Sequence, residues 1–162
     1  MAGRIEAETL RESLDAQQPV TGLDIRSQTA SLTATHTPSH TNESTSYVLN
    51  ETAVFAGDTL LTNGVGRPDL QATPEAARRR ACALFASLRR LRELRSEIIV
   101  LPVHTSEPIA FDERAVAARL ADVGAWLSGW IASESAFVDR VTSNLPLTPP
   151  NFVRIAELKW GR

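Results

Sequence analysis

The sequence predicts a mixed α/β fold, and three observations point to it. Between residues 31 and 57, apolar residues alternate with Thr, Ser and Ala, which is typical of short strands. After residue 73 the apolar residues recur at spacings of three and four, which is typical of amphipathic helices. The hydrophobic content is 43% over 162 residues, as in an ordinary globular domain.

Composition and charge exclude several classes of partner. The formal net charge is −2, so no nucleic acid or acidic membrane surface is expected as a partner. No run of about 20 apolar residues occurs, which predicts no membrane span. The first residues carry no apolar signal segment. Cys82 is the only cysteine, so no intrachain disulfide can form, and we expect a reducing, cytoplasmic location.

The chain opens with the pattern of a short helix followed by a strand. Ile5, Leu10 and Leu14 form the apolar side of the helix, and Pro19 ends it. Residues 20–25 then have the composition of a strand.

This opening resembles the start of a rhodanese, a sulfurtransferase domain. The resemblance rests on the helix pattern, on Pro-Val-Thr at 19–21 and on Leu-Asp-Ile-Arg at 23–26. It implies a rhodanese-like N-terminal fragment over residues 1–27. A rhodanese needs a cysteine nucleophile in a loop of backbone N–H groups. Cys82 instead lies in a helical pattern, which predicts a small buried side chain there.

Three strands are expected in the next part of the chain. Residues 31–36, SLTATH, form the first, and a polar loop follows from Thr37 to Ser44. Residues 44–50, STSYVLN, and 52–58, TAVFAGD, form two more around the turn Asn50-Glu51.

A helix then begins at Pro74, with Thr73 as its N-cap. Its arginines fall away from the apolar side, which indicates a solvated face, although phosphate binding is an alternative. The apolar stripe consists of Ala77, Ala81, Leu84, Leu88 and Leu91.

A strand and two further helices are expected after that helix. Residues 97–104, EIIVLPVH, have the composition of a buried strand that ends at His104. We expect a helix capped by Asp112 and running to about Ser133, with Val116 among its apolar residues. Residues 134–141 form a short last helix, before a Pro-rich extended end.

The three histidines of the chain define the possible metal sites. His36 and His40 are four apart, but Pro38 lies between them, so they occupy a loop and do not form a helical ligand pair. His40, Asp58 and His104 each follow a strand, and such side chains can converge at one edge of a sheet. Imidazole nitrogens with a carboxylate oxygen suit Zn²⁺ or Fe²⁺. The alternative is histidines that only form surface hydrogen bonds.

Four motifs in order resemble the second half of a metallo-β-lactamase-fold protein. The resemblance is to the branch of glyoxalase II, a hydroxyacylglutathione hydrolase, and the persulfide dioxygenases. It covers residues 28–162 as a C-terminal part of such a domain, and it implies a partial αββα sandwich. The motifs are THTPSHT at 35–41, VFAGDTLLTNGVGRPDL at 54–70, VLPVHTSEPIAFD at 100–112 and NLPLTPPNFVRIAEL at 144–158.

The resemblance implies a role for several residues. His40 corresponds to a metal ligand and Asp58 to the shared carboxylate ligand. His104 corresponds to the second-metal ligand of the hydrolases, although the dioxygenases need not use it. Arg67 lies where the family contacts a thiol or thioester substrate, and His36 has a supporting role in its loop. The implied cofactor is zinc or iron.

The sequence also departs from this family. Its first metal motif, His-x-His-x-Asp-His, is absent, so the ligand set is incomplete. Ser39 replaces the usual glycine of the loop, which disfavours a positive φ. Removing the first half of a two-sheet sandwich would also uncover the apolar strands around residues 47–55 and 98–101. We expect that face to pair with another chain or with a second copy.

Three functions follow as hypotheses. The first is a metal-dependent hydrolase or sulfur dioxygenase that is truncated and catalytically impaired, with no certain catalytic residue. The alternative is a non-catalytic fragment or split-protein half that needs a complementing chain. The third, RNA binding through the arginine-rich helix, is disfavoured by the near-neutral charge.

Overall fold

The computed structural model describes residues 24–26, 30–106, 108–109, 114–143, 145 and 151. The rhodanese-like opening lies outside the described residues except for 24–26, and so does most of the Pro-rich end. The elements are β1 (Asp24–Arg26), β2 (Ser31–His36), β3 (Thr45–Leu49), β4 (Ala53–Gly57), α1 (Pro74–Arg92), β5 (Ile99–Pro102), β6 (Ala118–Arg119), α2 (Leu120–Trp130) and α3 (Glu134–Ser143).

The six described strands form one sheet in the order β1-β2-β3-β4-β5-β6. Neighbouring strands are antiparallel except β4 and β5, which are parallel and are joined through α1. The strands predicted over residues 31–58 are confirmed. Asn50 and Glu51 form the expected turn with φ of 50° and 53°. Two adjacent left-handed residues match the twist of a tight hairpin.

The core lies between one face of the sheet and the three helices. Val54 and Val100 pair across β4 and β5 and are fully buried against Leu88 and Leu127. Each such side chain contributes about 1.5–3 kcal/mol when it is fully buried. Thr73 caps α1 as predicted, accepting a hydrogen bond from the Ala76 N–H. The predicted stripe of α1 is buried throughout, at Ala77, Ala81, Leu84, Leu88 and Leu91.

The helix expected from Asp112 to Ser133 is wrong over residues 114–119. Asp112 lies outside the described residues, and α2 begins only at Leu120. Before it, Ala118 and Arg119 pair with β5 as an edge strand. The Leu120 N–H then donates to the Ile98 carbonyl at 2.8 Å. The chain stays extended there because sheet pairing supplies the backbone bonds that a helix would otherwise provide. The predicted last helix is confirmed as α3.

Cys82 lies in α1 as predicted, but the expectation that it is buried is wrong. Consecutive residues of a helix are separated by about 100°, so Cys82 points away from the stripe that contains its neighbour Ala81. The arginines of α1 form a solvent-exposed face, as expected, and Arg78 pairs there with Asp139 of α3 at 3.1 Å.

The opposite face of the sheet carries a large exposed aromatic residue. Phe55 sits between Val54 and Ala56, so it points away from the helices, and it is 43% exposed. Its neighbour across the ladder is Tyr47. Phe55 is thus a partly exposed aromatic residue on an inner strand of the six-stranded sheet. No described helix is long and apolar enough to cross a membrane.

Candidate metal centre

The directions of three strands place the candidate ligands at one edge of the sheet. β2 is antiparallel to β3, and β3 is antiparallel to β4, so β2 and β4 run the same way. β5 runs parallel to β4. The carboxyl ends of all three strands therefore meet at one edge, where His40, Asp58 and His104 lie.

Asp58 is the centre of this group. His104 Nδ1 lies 2.7 Å from Asp58 Oδ1, and His40 Nε2 lies 3.5 Å from Asp58 Oδ2. The side chains of His40 and Asp58 are 30% and 28% exposed, whereas that of His104 is 56% exposed. The structure thus brings together the three residues that the sequence singled out, and their role as metal ligands stays a prediction.

One oxygen of Asp58 lacks a hydrogen-bond donor. Oδ1 is buried, and no donor in the described part of the chain satisfies it. His104 Nδ1 is near in distance, but its approach lacks hydrogen-bond geometry. An unsatisfied buried carboxylate oxygen is costly, and a cation is one of the groups that removes the cost.

The donor atoms fit zinc or iron in kind but not in arrangement. Two imidazole nitrogens and a carboxylate are ligands that both metals accept. However, the nitrogens of His40 and His104 approach different oxygens of the Asp58 carboxylate. The three side chains therefore do not converge on one position that a metal ion could occupy. Over residues 30–106, 108–109 and 114–143, no set of three or more His, Cys, Asp or Glu side chains is arranged to hold a metal ion. A metal ion at this place would therefore need donors beyond these three residues.

Hydroxyl groups hold His40 in its loop. Ser39 is 1% exposed, and its Oγ lies 3.2 Å from His40 Nδ1. The same hydroxyl donates to Ser44 Oγ at 3.2 Å, and Thr59 Oγ1 donates to it at 3.3 Å. Thr59 also donates to the Thr37 carbonyl at 3.0 Å. Because Thr59 follows Asp58 directly, this network connects the His40 loop to the Asp58 loop.

Two further contacts attach the His40 loop to α1. Ser87 Oγ donates to the Pro38 carbonyl at 2.8 Å, and Arg90 Nη1 donates to the His36 carbonyl at 2.7 Å. The His36 ring donates through Nε2 to the Asn42 carbonyl at 2.5 Å, so His36 closes its own loop and does not face Asp58.

The loop after β4 depends on two glycines. Gly57 has a φ of 57°, which lets the chain turn immediately before Asp58. Gly66 lies so close to the Asp58 backbone that a Cβ there would be 2.1 Å from the Asp58 carbonyl oxygen. A side chain at position 66 would therefore push the two parts of the loop apart.

Arg67 lies beside this centre, not within it. Its guanidinium pairs with Asp69 through two bonds, Nε to Oδ1 at 3.1 Å and Nη2 to Oδ2 at 2.6 Å. Burial of the Asp69 carboxyl raises its pKa, but the hydrogen bonds from Arg67 and from the Asp69 backbone, together with the positive charge of Arg67, outweigh this and hold the pKa below its usual value. Arg67 also lines a cavity of about 350 Å³ together with Gly66, Trp130 and Arg140. The guanidinium of Arg140 lies 4.9 Å from the centre of the Trp130 ring.

The environment of His40 disfavours its charged form. Burial lowers its pKa, and the positive charges of Arg80 and His104 act in the same direction. The carboxylates of Asp58 and Glu43 oppose them without reversing the shift. His40 is therefore biased toward the neutral form, which is the form that binds metals.

The sequence did not identify the residues that position the candidate ligands. Ser39, Thr59 and Gly66 act through contacts between segments that are 20 or more residues apart, or between a side chain and a backbone atom. The only local feature that pointed to this region was the high content of Ser and Thr around His40. It indicated a loop, but it did not indicate which residues the loop contacts.

Comparisons with known proteins identify the fold. No protein-family model and no curated protein sequence matches the chain. Among solved structures, ETHE1 from Myxococcus xanthus is similar over 86% of this chain and 56% of its own, with 30% identity and a TM-score of 0.64. A metallo-β-lactamase from Staphylococcus aureus subsp. aureus COL is similar over 87% of this chain and 43% of its own, with 24% identity and a TM-score of 0.70. The BLEG-1 B3 metallo-β-lactamase gives a TM-score of 0.51 at 23% identity, over 67% of this chain and 45% of its own.

These likenesses show a metallo-β-lactamase-like fold, as the sequence predicted, and they support membership of that superfamily. The chain spans about half the length of the structures it matches, at 43%, 56% and 45%. The rhodanese-like opening gains no support from them and stays a prediction, as does the division at residue 27.

Replacing Gly66 with alanine should displace the Asp58 loop. Overpacking of this kind costs about 1–3 kcal/mol, because the new Cβ meets a backbone atom that cannot rotate away. Urea unfolding should show this loss. Gly124→Ala in α2 is the control, because nothing lies within 4 Å of its Cβ and its φ is not in the left-handed region. A Gly66→Ala chain as stable as wild type would contradict the close approach.

The lowered pKa of His40 predicts a stability that falls on acidification. Since the pKa in the folded state lies below the usual 6.5, the unfolded chain binds the proton more readily. This contribution is present above about pH 6.5 and declines as the pH falls through the folded pKa. Urea unfolding of the metal-free chain between pH 7.5 and 5.5 should show a smaller decline in His40→Gln than in wild type. Identical declines would contradict the prediction.

Proposed function

We propose that this chain, with its metallo-β-lactamase-like fold, is the C-terminal part of a metal-dependent hydrolase-like protein that is catalytically impaired by itself. The class is hydroxyacylglutathione hydrolase or persulfide dioxygenase. The observation that carries the proposal is the grouping of His40, Asp58 and His104 at the edge formed by β2, β4 and β5. The similarity to ETHE1 over 86% of this chain supports the dioxygenase side of it. A cytoplasmic location belongs to the same proposal.

The buried oxygen of Asp58 supports a cation at this place. Oδ1 makes no hydrogen bond with a described residue, although His104 Nδ1 lies 2.7 Å from it, and Oδ2 lies 3.5 Å from His40 Nε2, which is too far for a strong hydrogen bond. Zinc or iron would supply a Lewis acid at this place. His40, Asp58 and His104 would contribute donor atoms, but among the described residues they are not arranged to hold the ion by themselves.

The missing donors limit what this chain does alone. It contains three histidines in all, and one of them, His36, faces away from Asp58. A shell with three donors from this chain leaves a metal weakly held and the substrate poorly positioned. Weak binding with negligible turnover is therefore the expected state of the isolated chain.

Arg67 is proposed to bind the thiol or thioester substrate. Its cavity adjoins the Asp58 loop through Gly66, and a second guanidinium, that of Arg140, shares the lining. The two bonds to Asp69 hold the Arg67 guanidinium in one orientation at the wall of this cavity.

Metal titration of the purified chain tests the main proposal. Isothermal titration with Zn²⁺ should give weak binding with less than one equivalent bound. His40→Ala and Asp58→Ala should each weaken it by at least about ten-fold, since even second-shell losses cost 10–100-fold. His104→Ala should weaken zinc binding as well, whereas anaerobic Fe²⁺ binding should depend on it less.

His36→Ala is the matched control, because it removes an imidazole from the same loop without touching Asp58. Zinc binding that is unaffected by all three substitutions would refute the proposal. Robust metal-dependent thioester hydrolysis or persulfide oxidation that Asp58→Ala abolishes would show that the chain is not impaired.

A second candidate function is favoured by the exposed sheet face around Phe55. In this alternative the chain is a non-catalytic fragment or split-protein half whose apolar face receives another chain. Face-to-face packing of two sheets is the ordinary way to bury such a surface. A complementing chain would also supply the missing metal donors, whereas a second copy of this chain would only cover the face.

Sedimentation measurements test whether this face associates. We expect the isolated chain to self-associate as its concentration rises, because Phe55 on this face is 43% exposed. Phe55→Ser should raise the dissociation constant by roughly ten-fold or more, the equivalent of one apolar side chain of about 1.5–3 kcal/mol. Val103→Ser is the control, because Val103 is 71% exposed and lies beyond the end of β5. A chain that stays monomeric at all concentrations would contradict self-association through this face.

A further inference from the structure

We infer that the cavity lined by Arg67 binds a small organic carboxylate with an apolar body, and that Arg140 binds the charged group of this ligand. The cavity has a volume of about 350 Å³ and is lined mainly by residues 63–68, by Trp130 of α2 and by residues 140–141 of α3. The inference goes beyond the proposed function, which assigns the cavity to Arg67 and to a thiol or thioester. Binding of a carboxylate at Arg140 requires neither a thiol nor a metal ion.

The charged side chains that line this cavity are all positive. They are Arg67 and Arg140, and no Asp or Glu is among the lining residues. Arg67 is bonded through Nε and Nη2 to the Asp69 carboxylate, so the charge of that pair is close to zero. Arg140 forms no ion pair with a carboxylate in the described part of the chain, and the neighbouring Asp139 pairs instead with Arg78 of α1. One positive charge therefore remains at the cavity wall, and a monoanion is the ligand that offsets it.

The Trp130 ring holds the Arg140 guanidinium at this wall. The guanidinium carbon lies 4.9 Å from the centre of the ring, within the range of cation–π attraction. Trp130 is itself held in place, because it packs against Trp126, with ring centroids 5.2 Å apart, and against the hydrophobic core. A guanidinium that lies over a ring keeps the N–H groups at its edge as donors, and these match the two oxygens of a carboxylate. Because the side chain is already ordered, it loses less conformational freedom when a ligand binds.

The rest of the cavity wall favours a ligand with an apolar body. Val65, Trp130 and Val141 line the cavity and also pack against the core, so this part of the wall is formed by the fold itself. Pro68, which is buried, lies in the same wall. Contact with these side chains favours a carboxylate that is joined to an aromatic or aliphatic group over a fully hydrated inorganic anion.

Titration with benzoate, followed by NMR, tests the inference. The full chain is labelled with ¹⁵N, freed of metal with a chelator and titrated at pH 7.5, and the indole N–H signal of Trp130 reports binding at the cavity. We expect this signal to shift until it saturates. Benzamide has nearly the same shape without the charge, and it should bind at least about ten-fold more weakly, the effect of losing a hydrogen bond to a charged group. Inorganic phosphate lacks an apolar body and should also bind more weakly than benzoate.

Substitution of Arg140 tests its role as the binding residue. Arg140→Gln removes the charge and keeps a polar side chain, so it should weaken benzoate binding by roughly ten-fold or more and change benzamide binding much less. Arg79→Gln is the matched control, because Arg79 is an exposed arginine of α1 that does not line the cavity. Its loss should leave benzoate binding within about two-fold of wild type, since solvent screens an exposed charge.

Substitution of Trp130 tests whether the ring holds the guanidinium in place. Trp130→Leu should weaken benzoate binding, because Arg140 then has no ring to lie over. Trp130→Phe keeps an aromatic ring and should retain more of the binding, which separates this effect from a general loss of folding. Both variants are followed through the NMR signals of the ligand, because they lack the indole of residue 130.

The outcomes distinguish this inference from the proposed function. The inference is overturned by a wild-type chain that shows no saturable binding of benzoate, that binds benzamide equally well, or that binds phosphate more tightly. It is also overturned if Arg140→Gln binds benzoate as wild type does. Zinc titration of the same variant reports separately on His40, Asp58 and His104. Loss of benzoate binding with unchanged zinc binding supports the inference, whereas a chain that binds benzoate at Arg140 but no Zn²⁺ supports the inference and overturns the proposed function.

Discussion

The parallel pairing of β4 with β5 is the constraint on which the rest of this structure depends. It places Val54 opposite Val100 at the centre of the core, with both side chains fully buried. A parallel pair needs a crossover, and α1 provides it while covering the face that these valines occupy. The same direction brings the ends of the two strands to one edge, so the pairing that makes the core also brings Asp58 and His104 within contact distance.

At that edge of the sheet, hydrogen bonds between polar groups hold the loops in place, because apolar side chains are few there. The His40 loop contains little apolar side-chain bulk, and a chain of hydroxyl bonds from Thr59 through Ser39 holds it in place. Each bond contributes only about 1 kcal/mol, but burial makes any missing partner expensive. The loop is therefore well determined, whereas the carboxylate it faces keeps one oxygen without a donor in the described part of the chain. The ordered loop and this carboxylate oxygen are the observations behind the proposed cation site, whose metal binding stays a prediction.

The incomplete site and the exposed sheet face have a common physical origin. A sheet with helices on one side buries only half of its surface, and Phe55 marks the side that stays open. The chain covers only 43%, 56% and 45% of the structures that it matches. Whatever chain covered Phe55 would lie near the edge that carries Asp58. A complementing chain would therefore both cover the face and complete the ligand shell, whereas a second copy would only cover the face.

The sequence by itself determined the α/β class, the strands of residues 31–58, the cap and stripe of α1, and the candidate trio, because these depend on local periodicity and on which residues end a strand. Tertiary structure decided the rest. The edge strand at Ala118 replaced the first turns of an expected helix because β5 offered it backbone partners. Cys82 is exposed because of its angle around α1, which composition does not reveal. The bond from Ser39 to His40, the approach of Gly66 to Asp58 and the pairing of Arg67 with Asp69 all depend on where side chains point once loops have closed. No pattern of spacing encodes those contacts, since they arise only when distant segments pack together.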